Sequence, residues 1–313
     1  DAKVNYVHTK GRQRPALGYN TLNPNFTLTQ MGRMVPLDFL EEYYTQTGEP
    51  GIWPGVWINP FYVINEMKNR DSRDRIIGYI SSTLNFTDWL SLTGKLGIDF
   101  YTENIERDFA PLNAPVSGYP NGGVTRDLSH NSELNTSVIL NASKDIGNDI
   151  SLTGALGANL LQQRRDRLYM RGVGLNAPGV YHISNTQVVN PEEYLYQKEM
   201  QSVFFTGQVG YKNFLFLDVT GRNDWSSALG RNNISYFYPS VGTGFVFTDA
   251  FSIDSDIFSF GKIRASWAQV GNDSDPYLTK IGYELFTQGI NGQQFINTSG
   301  TVPLLDLKNE LTE

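Results

Sequence analysis

The chain has 313 residues and a formal net charge of −7. The charge argues against a nucleic-acid-binding protein, which would carry clustered surplus lysine and arginine. There is no cysteine, so disulfide scaffolds, thiolate zinc sites and cysteine nucleophiles are excluded. Hydrophobic residues make up 40% and aromatic residues 13%, a balance that suits strands with a single apolar face better than a soluble α/β enzyme.

Residues 1–70 are rich in proline, glycine, asparagine and aromatic residues, and we predict mostly extended loop there. Residues 25–30 show weak strand character. Residues 34–44 predict a short helix, because Leu37, Leu40 and Tyr44 share one face. Residues 48–57 read GEPGIWPGVW, which favours neither a helix nor a central strand.

Four pairs of alternating segments follow, and three of them meet at a very short turn. Residues 90–101 show the pattern most clearly, with apolar residues or glycine at even positions and mostly hydrophilic residues at odd positions, which places the two sets on opposite faces of a strand. The fourth connection, 248–261, is longer and has room for a helical turn. The predicted hairpins are 75–86 with 90–107, 134–145 with 150–170, 200–209 with 214–220, and 236–247 with 262–270.

Long polar segments at about 108–130 and 171–197 separate these pairs, so short and long connections alternate. This alternation, strands of about ten residues or more, and aromatics near strand ends are typical of outer-membrane barrels. There is no run of 18 apolar residues that would predict a transmembrane helix. We therefore predict an all-β fold, an antiparallel transmembrane β-barrel segment with long extracellular loops. A soluble β-sandwich or propeller is the alternative.

The segment 221–227, GRNDWSS, is the most distinctive short motif. We expect Gly221 to bend the strand where pairing ends. Arg222 and Asp224 would pair or bind loop backbone, with Trp225 packed beneath, which is a loop-organising role. Lys262 and Arg264 should face the lumen, since a charge on the lipid face costs roughly 2–4 kcal/mol near the midplane.

Catalysis has little support. The three histidines (His8, His130 and His182) lie in loop-like sequence, and no metalloprotease, phosphate-loop or nucleophile-elbow spacing occurs. Residues 273–275, DSD, have a calcium-like spacing without the glycine and distal glutamate of a calcium loop. We predict no enzyme, metal or cofactor. Residues 162–167, QQRRDR, predict a solvated rim with anionic outer-membrane lipid as a partner.

Several motifs together resemble the SusC/RagA family of TonB-dependent outer-membrane transporters. The matches stand in the family's order over about 59–310, with Asn309 where the family has proline. They are 59–62 (NPFY), 73–78 (RDRIIG), 87–90 (TDWL), 221–227 (GRNDWSS), 235–241 (SYFYPSV), 260–273 (FGKIRASWAQVGND) with 276–277 (PY), and 307–310 (LKNE).

The resemblance implies a 22-stranded barrel filled by a plug, energy from TonB, a SusD-like surface lipoprotein as a lid, and import of oligosaccharides or peptides. It also implies the outer membrane of a Gram-negative, Bacteroidetes-like bacterium. No plug, TonB-contacting segment or closing strand is recognisable, so we expect residues 1–313 to be part of the barrel, with the plug and the C-terminal closing strands absent. Four loop aromatics, Trp53, Trp57, Tyr119 and Tyr181, are candidates for contact with substrate or lid, or else build the loops.

Two alternatives remain open. A passive porin-like or adhesive barrel would have the same wall but neither plug nor TonB coupling. A secreted β-rich glycan-binding protein or hydrolase would be soluble without detergent. The sequence does not name the substrate.

Overall fold

The computed structural model describes residues 1–14, 16–51, 58–112, 118–253, 257–286, 295–298, 300 and 302–313. Its main feature is a nine-stranded antiparallel sheet in which strands follow one another in chain order, β1 to β9. These strands are β1 (Ala2–Arg12), β2 (Lys68–Thr87), β3 (Leu90–Phe109), β4 (Gly123–Ile146), β5 (Ile150–Leu175), β6 (Thr186–Tyr211), β7 (Leu215–Ser226), β8 (Ser235–Val246) and β9 (Lys262–Ala268).

The remaining elements lie in the connections and after β9. Pro24–Gln30 begins behind an Asn23 side chain that accepts a hydrogen bond from the backbone of Asn25, and Leu37–Thr47 ends at Gly48 in the left-handed conformation. The helices are α1 (Pro24–Gln30), α2 (Leu37–Thr47), α3 (Pro60–Glu66) and α4 (Phe247–Ala250), with a 3-10 turn at Ile183–Asn185; the short strands are β10 (Val270–Asn272), β11 (Tyr283–Phe286), β12 (Phe295–Thr298) and β13 (Glu310–Thr312).

All four predicted hairpins are present, but the first part of the chain differs from expectation. The prediction of loop for residues 1–70 is wrong at Ala2–Arg12, which pairs with β2 along its whole length. It is also wrong at residues 25–30, which are helical. The helix predicted at 34–44 is found as α2, and the helical turn predicted within 248–261 is found as α4.

The long loops are shorter than predicted, because the strands continue beyond the alternating segments. Strand β4 begins at Gly123, β5 runs to Leu175 and β6 begins at Thr186. Strands β4 to β6 have 24 to 26 residues, whereas a barrel strand needs about ten to cross the hydrocarbon. The hairpins therefore project well past the membrane on the side of the long connections.

Residues that lie directly opposite one another on paired strands share one face of the sheet. We call each such set of residues a row. Leu84, Leu92, Leu140, Leu156 and Phe205 form one row across β2 to β6. Leu84 and Leu156 are each more than half exposed. We call this apolar face the outer face and the opposite, polar face the inner face. Among the described residues, no helix is long and apolar enough to cross a membrane.

A cluster of buried apolar residues lies outside the sheet, in the connections. Ile58, Tyr62 and Val63 around α3 pack with Ala110 and Leu112 after β3. The side chain of Asn59 caps α3 and also donates to the carbonyl of Leu40, 2.8 Å away, which links α2 to α3. We call this assembly of α2, α3 and residues 110–112 the loop module.

Candidate functional site: the two faces of the sheet and its upper rim

The outer face changes from apolar to polar within one row. Tyr6, Ile76 and Phe100 share a row at the top of the apolar region. In the next row His8 Nδ1 lies 2.7 Å from Asp74 Oδ1, and the hydroxyl of Thr102 lies 3.1 Å from His130 Nδ1. This boundary is where a hydrocarbon layer would meet water and headgroups.

The inner face carries ion pairs that join neighbouring strands. Arg73 donates to Glu103 at 2.6 Å between β2 and β3. Arg167 on β5 binds both carboxylate oxygens of Asp127 on β4, at 2.8 and 2.7 Å. The bidentate geometry gives such pairs more specificity than a simple surface contact. These ion pairs hold charged side chains of the inner face in defined positions.

Cations on this inner face also lie over tyrosine rings at cation–π distances. The stacks place flat, amphipathic surfaces along the inner wall, where a plug, water or a solute would meet them. They are Lys95 over Tyr79 (4.7 Å to the ring centroid), Arg73 over Tyr101 (5.0 Å), Arg167 over Tyr169 (5.3 Å) and Arg171 over Tyr119 (4.8 Å).

The motif GRNDWSS lies within β7 rather than in a loop, because pairing with β6 and β8 continues past Gly221. Asp224 is 2% exposed and accepts hydrogen bonds from Arg222 Nε (2.7 Å) and the hydroxyl of Tyr238 (2.6 Å). Trp225 points to the opposite, outer face, so the expectation that it packs beneath the pair is wrong. The expectation that Gly221 marks the end of pairing is wrong as well.

On the outer face, Gly221 leaves room for two aromatic rings. A Cβ there would meet the ring of Phe205 at 2.5 Å and the ring of Phe237 at 2.9 Å. The missing side chain lets both rings lie over the strand, which covers the backbone that glycine leaves bare.

A second cluster fastens the chain after β9 to the inner wall. Lys198 on β6 donates to Asp273 Oδ1 (2.7 Å), and Ser226 on β7 donates to Asp273 Oδ2 (2.5 Å). We call residues 269–277 the strap. Lys198 was not singled out from the sequence. The carboxylate of Asp273 is taken up by these two donors, and no group of three histidine, aspartate or glutamate side chains suited to a metal occurs among the described residues.

The loop module holds its tyrosines by hydrogen bonds. The hydroxyl of Tyr62 donates to the carbonyl of Pro111 (2.7 Å), and that of Tyr44 donates to Glu66 (2.7 Å). Burial raises the pKa of Tyr62 well above its usual range, and the charge of Glu66 adds to this. The hydrogen bond to Glu66 raises the pKa of Tyr44. These hydroxyls stay neutral donors at physiological pH.

We call the edge of the sheet at the long connections the upper rim. Two of the four candidate loop aromatics are half-buried near it. Tyr119 stacks on Phe109, with ring centroids 3.9 Å apart, beneath Arg171. Tyr181 receives a hydrogen bond from Arg126 at its carbonyl (3.0 Å), and burial followed by the charges of Glu66 and Asp108 raises its pKa. Trp53 and Trp57 lie outside the described residues.

A cavity of about 640 Å³ lies between the β1–β2 connection and the inner face of β2 and β3. Leu22, Val63 and Met67 contribute apolar surface, and Glu103 and Arg107 contribute charge. Its volume is within the range of small-molecule sites. It lies at the upper rim, beside the loop module.

A sheet with an apolar outer belt, a charged inner wall and short turns at one edge is a segment of the wall of a membrane β-barrel. No protein-family model matches the chain. The chain is 24% identical over 257 residues to TonB-dependent receptor P3 of Formosa agariphila, a match that covers 80% of this chain and 25% of that receptor.

Solved structures agree on the fold. The RagAB peptide transporter matches 82% of this chain and 29% of its own with a TM-score of 0.70 and 19% identity. The RagAB peptide importer in its open-open state matches with a TM-score of 0.65 and 18% identity. The chain thus spans about a quarter of the curated relative and under a third of the solved chains.

Over most of its length the chain is thus similar to part of a TonB-dependent receptor, and it shares the fold of part of the RagAB chains.

Proposed function

We propose that the full-length protein imports a nutrient across the outer membrane by TonB-dependent transport, with this chain as part of the barrel wall. The observation that carries the proposal is the division of chemistry between the two faces, with leucines on one and strand-joining ion pairs on the other. A wall of fixed charges suits contact with a folded plug and water. The similarity to a TonB-dependent receptor over most of the chain supports the energy source.

We infer that the plug and the remaining strands are supplied elsewhere in the full-length protein, in a barrel of the 22-stranded class. The small share of each relative that the chain matches supports this division. Strands β1 and β9 end the nine-stranded sheet, and the further strands would pair along them, since a barrel leaves no open edge in the membrane.

The proposed partner is a SusD-like lipoprotein, and the proposed cargo is an oligosaccharide or a peptide. The loop module supports the partnership, because its own core makes it a rigid platform beside the lumen. Tyr119, Tyr181, Trp53 and Trp57 are the proposed contacts to lid or substrate. Arg222, Asp224 and Trp225 are proposed to hold β7 in shape, with Arg222 and Asp224 acting on the inner face.

Two measurements test the proposal on the full-length receptor. Growth on, or uptake of, the nutrient should be lost when the gene is deleted and also when TonB is deleted. Liposomes that contain the receptor should not take up small sugars passively. Free passive entry together with TonB-independent uptake would establish a porin instead. Co-purification of a SusD-like lipoprotein tests the partner separately.

A further inference from the structure

The outer face of β1 changes steadily in chemistry along the strand. Tyr6 lies in the boundary row, opposite Ile76. Lys10 and Arg12 lie two and three rows above it, opposite Ser72 and Arg70. Each long basic side chain therefore stands just beyond the apolar belt. From the belt upward, the outer face of β1 carries Ala2, Val4, Tyr6, His8, Lys10 and Arg12.

Arg12 and Arg70 stand directly opposite each other on paired strands. Like charges in that position destabilise a sheet unless an anion lies between them. Arg70 has Glu106 at 3.0 Å and Asp108 at 3.2 Å, and Asp108 also accepts from Arg126 at 2.9 Å. The carboxylates of Glu106 and Asp108 are therefore already paired with Arg70 and Arg126.

Arg12 and Lys10 make no ion pair within the part of the chain that the structure describes, and both are exposed. Among the described residues, Lys10, Arg12, Arg70 and Arg126 face Glu106 and Asp108 in this cluster, which leaves two positive charges in excess. The charge of Asp74 also acts on Lys10, but that carboxylate is hydrogen-bonded by Tyr6 and His8. The excess is local, since the chain as a whole is acidic.

Lys10, Arg12 and Arg70 line a pocket of about 240 Å³. They supply charged donors and Ser72 supplies a neutral one, while Glu106 is engaged with Arg70 at 3.0 Å and with the amide of Asn104 at 3.3 Å. The carboxylate of Asp71, which also borders the pocket, is held by Arg14 at 2.8 Å. Donors outnumber free acceptors, which is the composition of an anion site.

We propose that this cluster, Lys10, Arg12 and Arg70 with Ser72 and Asn104, binds the phosphate of an outer-leaflet lipid headgroup. A strand rises ~3.3 Å per residue and tilts by ~40° in a barrel, so the backbone of Lys10 stands ~10 Å and that of Arg12 and Arg70 ~15 Å above the boundary row. The polar interface of a bilayer is roughly 5–8 Å deep on each side, and long basic side chains reach back toward it. A lipid phosphate is thus the anion within reach.

This assignment differs from the position expected from the sequence. On the outer face at residues 162–167, Arg164 is bound by Asp166 at 2.7 Å, and Gln162 binds Glu199 at 3.0 Å. That rim carries little excess charge. The β1–β2 cluster does, and an arriving phosphate relieves the repulsion between Arg12 and Arg70.

The test uses the full-length receptor in detergent, with lipid A that carries its phosphates as the probe. We expect the double variant Lys10→Gln with Arg12→Gln to bind the probe about tenfold more weakly, because two charge-assisted contacts are lost. The matched control is Lys144→Gln with Lys212→Gln, which removes two charges at the short-turn edge, where they lie over Trp89 and Tyr211. The control should bind like the unaltered receptor.

Two further arms identify the anion. Dephosphorylated lipid A should bind the unaltered receptor as weakly as the double variant binds the intact lipid. Inorganic phosphate should not displace the lipid. Equal binding by both double variants, indifference to dephosphorylation, or displacement by inorganic phosphate would each overturn the proposal.

Discussion

Lys198 on β6 and Asp273 in the strap form an ion pair of 2.7 Å between side chains that are 15% and 9% exposed. Seventy-five positions separate them along the chain. The pair holds the strap against the inner wall together with the hydrogen bond from Ser226 to Asp273 and that from the backbone of Gln197 to the hydroxyl of Tyr277. Because both groups are largely shielded from water, removing one of them leaves the other charge poorly compensated.

The first prediction concerns this pair. Asp273→Asn should lower the free energy of local opening of the strap by about 2–3 kcal/mol. Hydrogen exchange of the backbone at 270–277 measures it. Asp275→Asn is the control, since it removes a neighbouring carboxylate that makes no ion pair among the described residues. Equal acceleration of exchange in both variants would show that the Lys198–Asp273 contact does not hold the strap.

The second prediction separates two adjacent tyrosines on β8. Tyr238→Phe removes a hydrogen bond to the buried carboxylate of Asp224, so urea unfolding should show a loss of about 1.5–3 kcal/mol. Tyr236→Phe should cost less, because among the described residues that hydroxyl donates to the sulfur of Met200, a weak acceptor 3.7 Å away. A larger loss for Tyr236→Phe would contradict the assignment of Asp224 as the centre of this cluster.

The third prediction uses two glycines of the outer face. Gly221→Ala should destabilise the receptor by about 1–3 kcal/mol, since the new methyl group collides with the rings of Phe205 and Phe237. At Gly207 the nearest atom to a new Cβ is 3.9 Å away, so Gly207→Ala should be close to neutral. Thermal unfolding of both variants measures the loss of stability. Equal losses in the two variants would mean that the rings do not lie over Gly221.

The fourth prediction is a pH dependence of the loop module. Burial raises the pKa of Tyr62 in the folded state, so its contribution is fully present below the unfolded value of about 10 and is lost as the pH rises above it. Proteolysis of the β1–β2 connection should therefore accelerate at alkaline pH.

Tyr62→Phe should weaken the module by about 1 kcal/mol at neutral pH, through the lost bond to Pro111, but should remove much of the alkaline acceleration. Tyr19→Phe, at a side chain that is 90% exposed, should behave like the unaltered receptor. An alkaline response that persists unchanged in Tyr62→Phe would assign it to another group.

The sequence predicted the hairpins because their two faces meet different surroundings. It missed β1 because that strand has few apolar residues: Val4 and Tyr6 are followed by His8, Lys10 and Arg12 on the same face. It also began β4 too late, at residue 134, and ended β5 too early, at residue 170. Beyond the membrane both faces of a strand meet water, so no alternation marks residues such as His130 or Arg171 as strand.

The candidate site was only partly predictable. Side chains alternate between the two faces of the sheet along β7. Once pairing is known to continue to Ser226, this places Trp225 on the face opposite that of Arg222 and Asp224. The contact of Lys198 with Asp273 depends on the path of the chain after β9, which no local pattern encodes. The Asp273 carboxylate therefore looked like a possible ligand for a cation from the sequence, whereas it is the acceptor of an ion pair.

In a barrel wall, one face of this sheet meets lipid and the other meets the lumen. Single cysteines at Leu96, Leu156, Thr93 and Thr153 of the full-length receptor in vesicles test it, with a spin label at each position and with oxygen and a water-soluble nickel complex as relaxing agents. Labels at the two leucine positions should respond to oxygen and labels at the two threonine positions to nickel. Equal response to nickel at all four positions would contradict the account.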